Sequence, residues 1–240
     1  MKKTSILRIY SSWKHLAATF GIVVLPFLFF LFFSRLTAIR VSDLFLDLTV
    51  SFARLVIAYG LALVLAWVLA SLFYRGWRGD VALPIFDVLQ SFPTFAALPM
   101  GVYFFGASDA TIILFLILTI VWPILFSIIS SLKLIKHDWE EAVEIFRLSG
   151  FEYIKKFLFP VSVPGIITGT IIGLGEGWEA LVATEIIIQT PQGLGRFFQV
   201  FSHNPRVTAF GILGFLLLIF SINKLLWLPL LEWSHRRMEE

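Results

Sequence analysis

The order of apolar and charged positions divides the chain into six runs without an Asp, Glu, Lys or Arg: Leu16–Ser34, Leu55–Tyr74, Val88–Ser108, Ala110–Leu132, Phe157–Gly175 and Val207–Asn223. They are 17 to 23 residues long. A helix that crosses a bilayer needs about 20 apolar residues, with a usual range of about 17–25. The pattern therefore predicts an all-α membrane protein with six transmembrane helices. The second helix is expected to start before Leu55 and include Arg54. The fifth is expected to start after Pro160 and run past Gly175. The sixth continues past Lys224, whose ammonium can reach the interface. The chain reads as one transmembrane domain, 1–240, with an N-terminal helix over 16–34, a core over 48–231 and a loop over 133–160. A cleaved signal peptide is the alternative for the first run, but no small-x-small site follows Phe33.

Composition agrees. The apolar share is 58%, the charged share 15%, and 26 residues are Phe. A soluble chain of this size would lack polar surface to cover itself. In lipid, Phe inserts favourably. The absence of cysteine excludes disulfides, thiolate metal sites and a cysteine nucleophile. The net charge of +3 does not point to nucleic acid, because the basic residues lie in short segments between apolar runs. With the N-terminus inside, thirteen Lys and Arg fall on the cytoplasmic side, from Lys2, Lys3, Arg8 and Lys14 to Arg236 and Arg237, against four outside. The positive-inside rule then predicts both termini in the cytoplasm.

The longest charged loop carries His137-Asp138-Trp139-Glu140-Glu141. Asp138 and Glu141 have capping-box spacing, and Glu140, Glu141 and Glu144 place negative charge where a helix dipole favours it. Ala142, Val143, Ile145 and Phe146 supply an apolar side, and Gly150 is the expected C-terminal cap. A short amphipathic cytoplasmic helix follows, either lying on the protein or membrane or docking a soluble partner.

In the fifth run Gly165, Gly169, Gly173 and Gly177 recur every four residues. Small residues at that spacing let helix backbones approach closely in lipid, and the same ridge can line a narrow path. Glu176 projects within that arc, Glu179 lies to its side and Glu185 points roughly opposite. Carboxylates facing lipid are costly, so these acids are expected to face protein, water or an interface, and they are candidates for a solute pathway. Pro93 and Pro99 interrupt the third run and Pro123 the fourth, breaks that often mark pathways. The segment Thr190–Arg196 reads as an outside loop or a short re-entrant element. There is no P-loop, no hydrolase signature, no catalytic set and no metal site among the four scattered histidines, and no cofactor is expected.

Together these pieces resemble a known family. Glu141-Ala142-Val143, with Phe159-Pro160 at the right distance, is similar to the cytoplasmic pattern E-A-A-x3-G-x9-I-x-L-P of inner-membrane permease subunits of binding-protein-dependent ABC importers. Ser162–Ile166, Thr168-Gly169, the Gly173–Glu185 stretch, Ser91-Phe92-Pro93-Thr94, Leu98-Pro99 and Phe105-Gly106 look like the branch for nitrate, sulfonates, taurine and bicarbonate. The resemblance covers roughly Thr49 to Leu230. It departs at Val143, at Phe157, and at Arg147, where the pattern has Gly.

The resemblance implies a non-catalytic permease in a bacterial or archaeal plasma membrane. It implies a coupling helix that docks ABC ATPase subunits through Glu140, Glu141, Ala142, Glu144, Arg147 and Gly150. It further implies a second permease copy or paralogue, an extracytoplasmic solute-binding protein, and alternating access driven by the partner's ATP hydrolysis. A second reading, from the residues alone, is a self-contained secondary transporter or channel that uses the Glu176, Glu179 and Glu185 carboxylates.

Overall fold

The computed structural model describes residues 13–37, 39–135 and 137–239. Lys2, Lys3 and Arg8 lie outside this range, and the side chains of Asp138, Glu140 and Ala142 lie outside the described atoms. Among the described residues every regular element is helical. They are α1 (Trp13–Thr37), α2 (Val41–Phe73), α3 (Gly76–Gln90), α4 (Thr94–Phe105), α5 (Asp109–Lys133), α6 (His137–Ile145), α7 (Gly150–Tyr153), α8 (Phe159–Ile188), α9 (Leu194–Val200), α10 (Pro205–Ile222) and α11 (Leu228–Glu239).

Four continuous helices are long and apolar enough to cross a membrane: Val41–Phe73, Asp109–Lys133, Gly150–Ile188 and Pro205–Ser234. A fifth crossing is available if α3 and α4 act as one broken span, bent by 83°. The third run is thus not one straight helix. Pro93 ends α3 and stands at the N-cap of α4, whereas Pro99 and Pro123 sit inside their helices. α2 begins fourteen residues before Leu55, because Asp43, Asp47 and Arg54 interrupt the apolar run without interrupting the helix.

Helix also begins earlier than expected in the fifth run, where a π-turn over Ile154–Leu158 joins α7 to α8. A second π-turn, Asn223–Trp227, joins α10 to α11. Each lies just ahead of a proline, Pro160 or Pro229. Proline has no N–H to bond the carbonyl four residues back and its ring crowds it, and widening the turn to i→i+5 relieves both. At the first joint the Phe159 N–H bonds the Ile154 carbonyl.

α5 is the central post, packed on one side against α8 and on another against α2. Its Ile112, Leu116, Ile120, Ile124 and Ile128 are fully buried. The helices that flank it bring small residues at the same four-residue spacing. On α2 these are Ala58, Ala62, Ala66 and Ala70, all fully buried. On α8 they are the four glycines, whose ridge lies against α5. A Cβ on Gly165 would stand 2.5 Å from the Ser127 carbonyl oxygen, and one on Gly169 2.6 Å from the Ile124 Cα. Gly177 meets the Ile120 side chain and Leu55.

Polar bonds between α2 and α8 set their relative height. Tyr59 bonds Thr170 (3.0 Å), Trp67 Nε1 donates to Ser162 Oγ (3.0 Å), and Tyr74, just past α2, bonds Tyr153 at the end of α7 (3.1 Å). α1 packs on α10, where Gly214 leaves room for the Phe29 ring and Ser221 Oγ donates to the Ile22 carbonyl (2.8 Å).

Gly169→Ala is expected to cost about 1–3 kcal/mol, the usual penalty for overpacking, because the new methyl meets α5 backbone that cannot rotate away. Gly175→Ala, on the same helix with nothing within 4 Å, is expected to be neutral or slightly stabilising. Thermal unfolding of the detergent-solubilised chain checks the pair, and equal losses in both would remove the close-approach explanation.

Candidate functional site

Three features are built on this frame. The first is a buried charge clamp. α2 carries Asp47, Ser51 and Arg54 at helical spacing on one face, all buried. Glu185, near the end of α8, is 0% exposed. Arg54 Nη1 donates to Glu185 Oε1 at 2.6 Å, and the Ser51 hydroxyl donates to the same carboxylate at 2.7 Å. Arg54 also reaches the exposed Asp109 at the start of α5, through Nη2 at 2.7 Å and Nε at 3.0 Å, and the Gln192 carbonyl at 3.0 Å. A lone ion in this position would be very costly; here every oxygen of Glu185 has a donor.

The clamp also seizes the turn after α8. Gln189 adopts a left-handed conformation (φ 59°), and the Thr190 N–H bonds the Glu185 carbonyl at 3.2 Å, closing the helix. The chain then folds back, so that the backbone N–H groups of Gly193, Leu194 and Gly195 donate to Asp47 Oδ1, Ser51 Oγ and Glu185 Oε2, each at 2.8 Å. Gly195 has to be glycine, since a Cβ would stand 2.3 Å from that of Glu185. Leu194 and Phe197 are buried, so the segment that follows α8 is packed back into the bundle.

The second feature is a cleft of about 870 Å³. It opens where α3 breaks into α4, and α5 and α8 form its other walls. Its lining includes Ser91, Pro93, Thr94, Thr119, Trp122 and Glu176. Of the sequence candidates, Pro93, Pro123 and Glu176 meet here. Pro99 is on α4 and Glu179 is on α8, both exposed and outside the lining. Glu185 is separate from them, nine residues further along α8 and enclosed in the clamp.

The third feature is α6. Its end is closed by Arg147 rather than Gly150. Arg147 is left-handed (φ 50°), its N–H bonds the Glu144 carbonyl at 3.0 Å, and the Leu148 N–H bonds the Val143 carbonyl at 3.0 Å. This paired arrangement is the one that usually selects glycine at the left-handed position. Gly150, also at positive φ (55°), starts α7 instead. Glu141 and Glu144 are exposed, and Ile145 and Phe146 stand 76% and 75% exposed. Trp139 leans on the core.

Sequence reasoning missed Arg54 as the partner of Glu185, together with Asp47 and Ser51. The available signal was the spacing of three polar residues, four and three apart, along one face of an apolar helix.

A helical bundle with several apolar helices long enough to cross a membrane, and a cleft between them that holds one carboxylate, defines a polytopic membrane protein. Residues 62–227, more than half of the chain, match the family described as the binding-protein-dependent transport system inner membrane component, and the chain belongs to that family. It is therefore a multi-pass inner-membrane protein. It is 32% identical over 147 residues to the nitrate import permease protein NrtB of Leptolyngbya laminosa, covering 61% of this chain and 53% of that one. It is 34% identical over 116 residues to the taurine transport system permease protein TauC of Escherichia coli K12 (48% and 42% covered). It is 30% identical over 114 residues to the bicarbonate transport system permease protein CmpB of Synechococcus elongatus (48% and 41% covered). The chain spans about half the length of the curated relatives it matches.

Arg54→Met is expected to destabilise the fold by about 3–5 kcal/mol, since it strands a buried carboxylate, while Arg54→Met combined with Glu185→Leu recovers much of the loss. Melting curves, together with tryptic cleavage after Arg196, read both effects; additive losses would disprove the coupling. Arg147→Gly is expected to stabilise α6 by about 1 kcal/mol through relief of the left-handed backbone cost, visible as slower hydrogen exchange at the Leu148 amide.

Proposed function

We propose that the chain is the membrane-spanning permease subunit of an ABC importer. It carries a small solute inward by alternating access, and ATP is hydrolysed on partner ATPase subunits rather than on this chain. The observation that carries this reading is the family match over 62–227, which takes in the cleft and α6 together. In this reading 1–240 is one permease domain with six crossings: α1, α2, the bent α3–α4 pair, α5, α8 and α10. Both termini are cytoplasmic, and α6 with its 133–160 surroundings is the coupling element.

The fit of each part supports the assignment. α6 lies in the chain segment that links α5 to α8, the two most tightly packed helices, so a displacement of α6 pulls on the ends of both cleft walls. The side chains it offers a partner are Glu141, Glu144, Ile145, Phe146 and Arg147, two apolar knobs within a charged rim. A well-packed apolar centre with a polar rim is what a protein interface requires. A second permease, identical or homologous, completes the pathway from the open side of the cleft. A solute-binding protein delivers to the face that carries the clamp and α9. The solute belongs with, or is related to, the nitrate, bicarbonate and taurine named for the relatives.

The Glu176, Glu179 and Glu185 carboxylates do not form one ion pathway in this reading, since Glu185 is held by Arg54 and Ser51. That removes the main support for a self-contained secondary transporter.

Phe146→Asp and Glu141→Arg, each in the full chain co-expressed with its ATPase, are expected to lower the ATPase recovered with the membrane fraction by tenfold or more, a loss of about 1.4 kcal/mol or above. The chain's own melting temperature should be unchanged in Phe146→Asp, whose side chain is 75% exposed. Undiminished recovery in both variants would overturn the docking assignment.

A further inference from the structure

The cleft carries a single charge. Among the described residues that line it, Glu176 is the only ionisable side chain, and no Lys, Arg or His is present. On α3 and α8 the nearest further charges are also acids, while α5 carries charge only at its two ends, Asp109 and Lys133. Asp87 accepts a bond from the lining Gln90 amide at 3.3 Å, and the exposed Glu179 follows Glu176 on α8. Four lining residues are aromatic: Phe92, Phe95, Trp122 and Phe126.

A carboxylate beside aromatic faces attracts a cationic nitrogen, through charge and through the ring quadrupoles, and repels an anion. A bare metal ion does not fit. Among the described residues no three His, Asp or Glu side chains converge, and one carboxylate does not replace the six or so oxygens of a hydrated divalent cation. The volume of about 870 Å³ suits a small organic molecule.

We propose that this cleft receives an organic cation, a solute with a protonated or quaternary nitrogen. Glu176 is its counter-charge, and Phe92, Phe95 and Trp122 are its aromatic walls. This deepens the transport reading and rests on it. The chain then differs in charge preference from the permeases named for nitrate and bicarbonate, since the field in its cleft disfavours small inorganic anions.

The chain has no native cysteine, so Thr119→Cys places a single thiol in the cleft of the full chain, co-purified with its ATPase. Its rate with a trimethylammonium-ethyl methanethiosulfonate is compared with that of the sulfonato-ethyl reagent, each normalised to a free thiol. The cationic reagent is expected to be favoured about tenfold or more, and Glu176→Gln is expected to abolish most of that preference. Equal normalised rates, or an anion preference, overturn the proposal. A second measurement uses neutral methyl methanethiosulfonate, with benzyltrimethylammonium or benzenesulfonate as protectant. Protection by the cation alone supports the proposal, and equal protection or protection by the sulfonate alone overturns it. ATP hydrolysis after modification of the thiol tests the transport reading separately. A cation preference with unchanged hydrolysis keeps the cation site and removes it from the transport path. Altered hydrolysis without a preference keeps the path and rejects the cation.

Discussion

Lipid provides no hydrophobic drive to bring helices together, so this bundle depends on contact distance. Association in a bilayer comes from dispersion and from interhelical polar bonds, both of which fall off steeply with separation. Four alanines on α2 and four glycines on α8 bring those backbones up to α5, whose isoleucines fill what remains. The three helices form one rigid unit. α1, α10 and the α3–α4 pair are arranged around it, and the cleft opens at the 83° bend between α3 and α4.

Close packing along smooth stripes leaves helices free to slide. The polar groups remove that freedom. Tyr59–Thr170 and Trp67–Ser162 fix the height of α2 against α8, and the Arg54–Glu185 pair fixes their ends. A buried ion pair is weak evidence for net stability, because desolvation offsets most of its attraction. Its contribution here is specificity. Only one register satisfies Glu185, and in that register the Ser51 hydroxyl and Asp47 carboxylate meet the amides of Gly193 and Leu194. Positioning the cleft walls and positioning the turn after α8 are therefore one event.

Much of this was legible in the sequence, and the exceptions have physical causes. The glycine spacing announced close approach, but the partner was not readable, because a run of isoleucines packs equally well against any small-residue stripe. Charge-free runs marked the four long apolar helices and the bent α3–α4 pair, but misjudged their ends, and the first run gives only a shorter apolar helix over the described residues. Asp43, Asp47 and Arg54 lie within α2, where tertiary partners stabilise them and a linear scan sees only an interruption. The break at Pro93 was visible, and its 83° bend was not, since proline removes a bond without setting a direction. Arg147 was recognisable as the residue at a glycine position. That it takes the left-handed conformation itself follows from α6 ending at Ile145, one turn before the glycine that was expected to close it. Glu185 looked like Glu176 and Glu179 because its counter-ion is 131 residues away in the chain.

The π-turn ahead of Pro160 has a consequence for how this chain tolerates changes in length. Between Tyr59–Thr170 and Trp67–Ser162 both helices advance by eight residues, and between Trp67–Ser162 and Tyr74–Tyr153 α2 advances by seven while the other strand of the ladder uses nine. The wider turn takes up surplus chain without rotating the membrane-embedded face, since an i→i+5 turn holds one residue more than its neighbours. Single-residue insertions and deletions among homologous sequences should therefore collect at 154–158, where drift in length can accumulate without disturbing the glycine face on one side or α6 on the other.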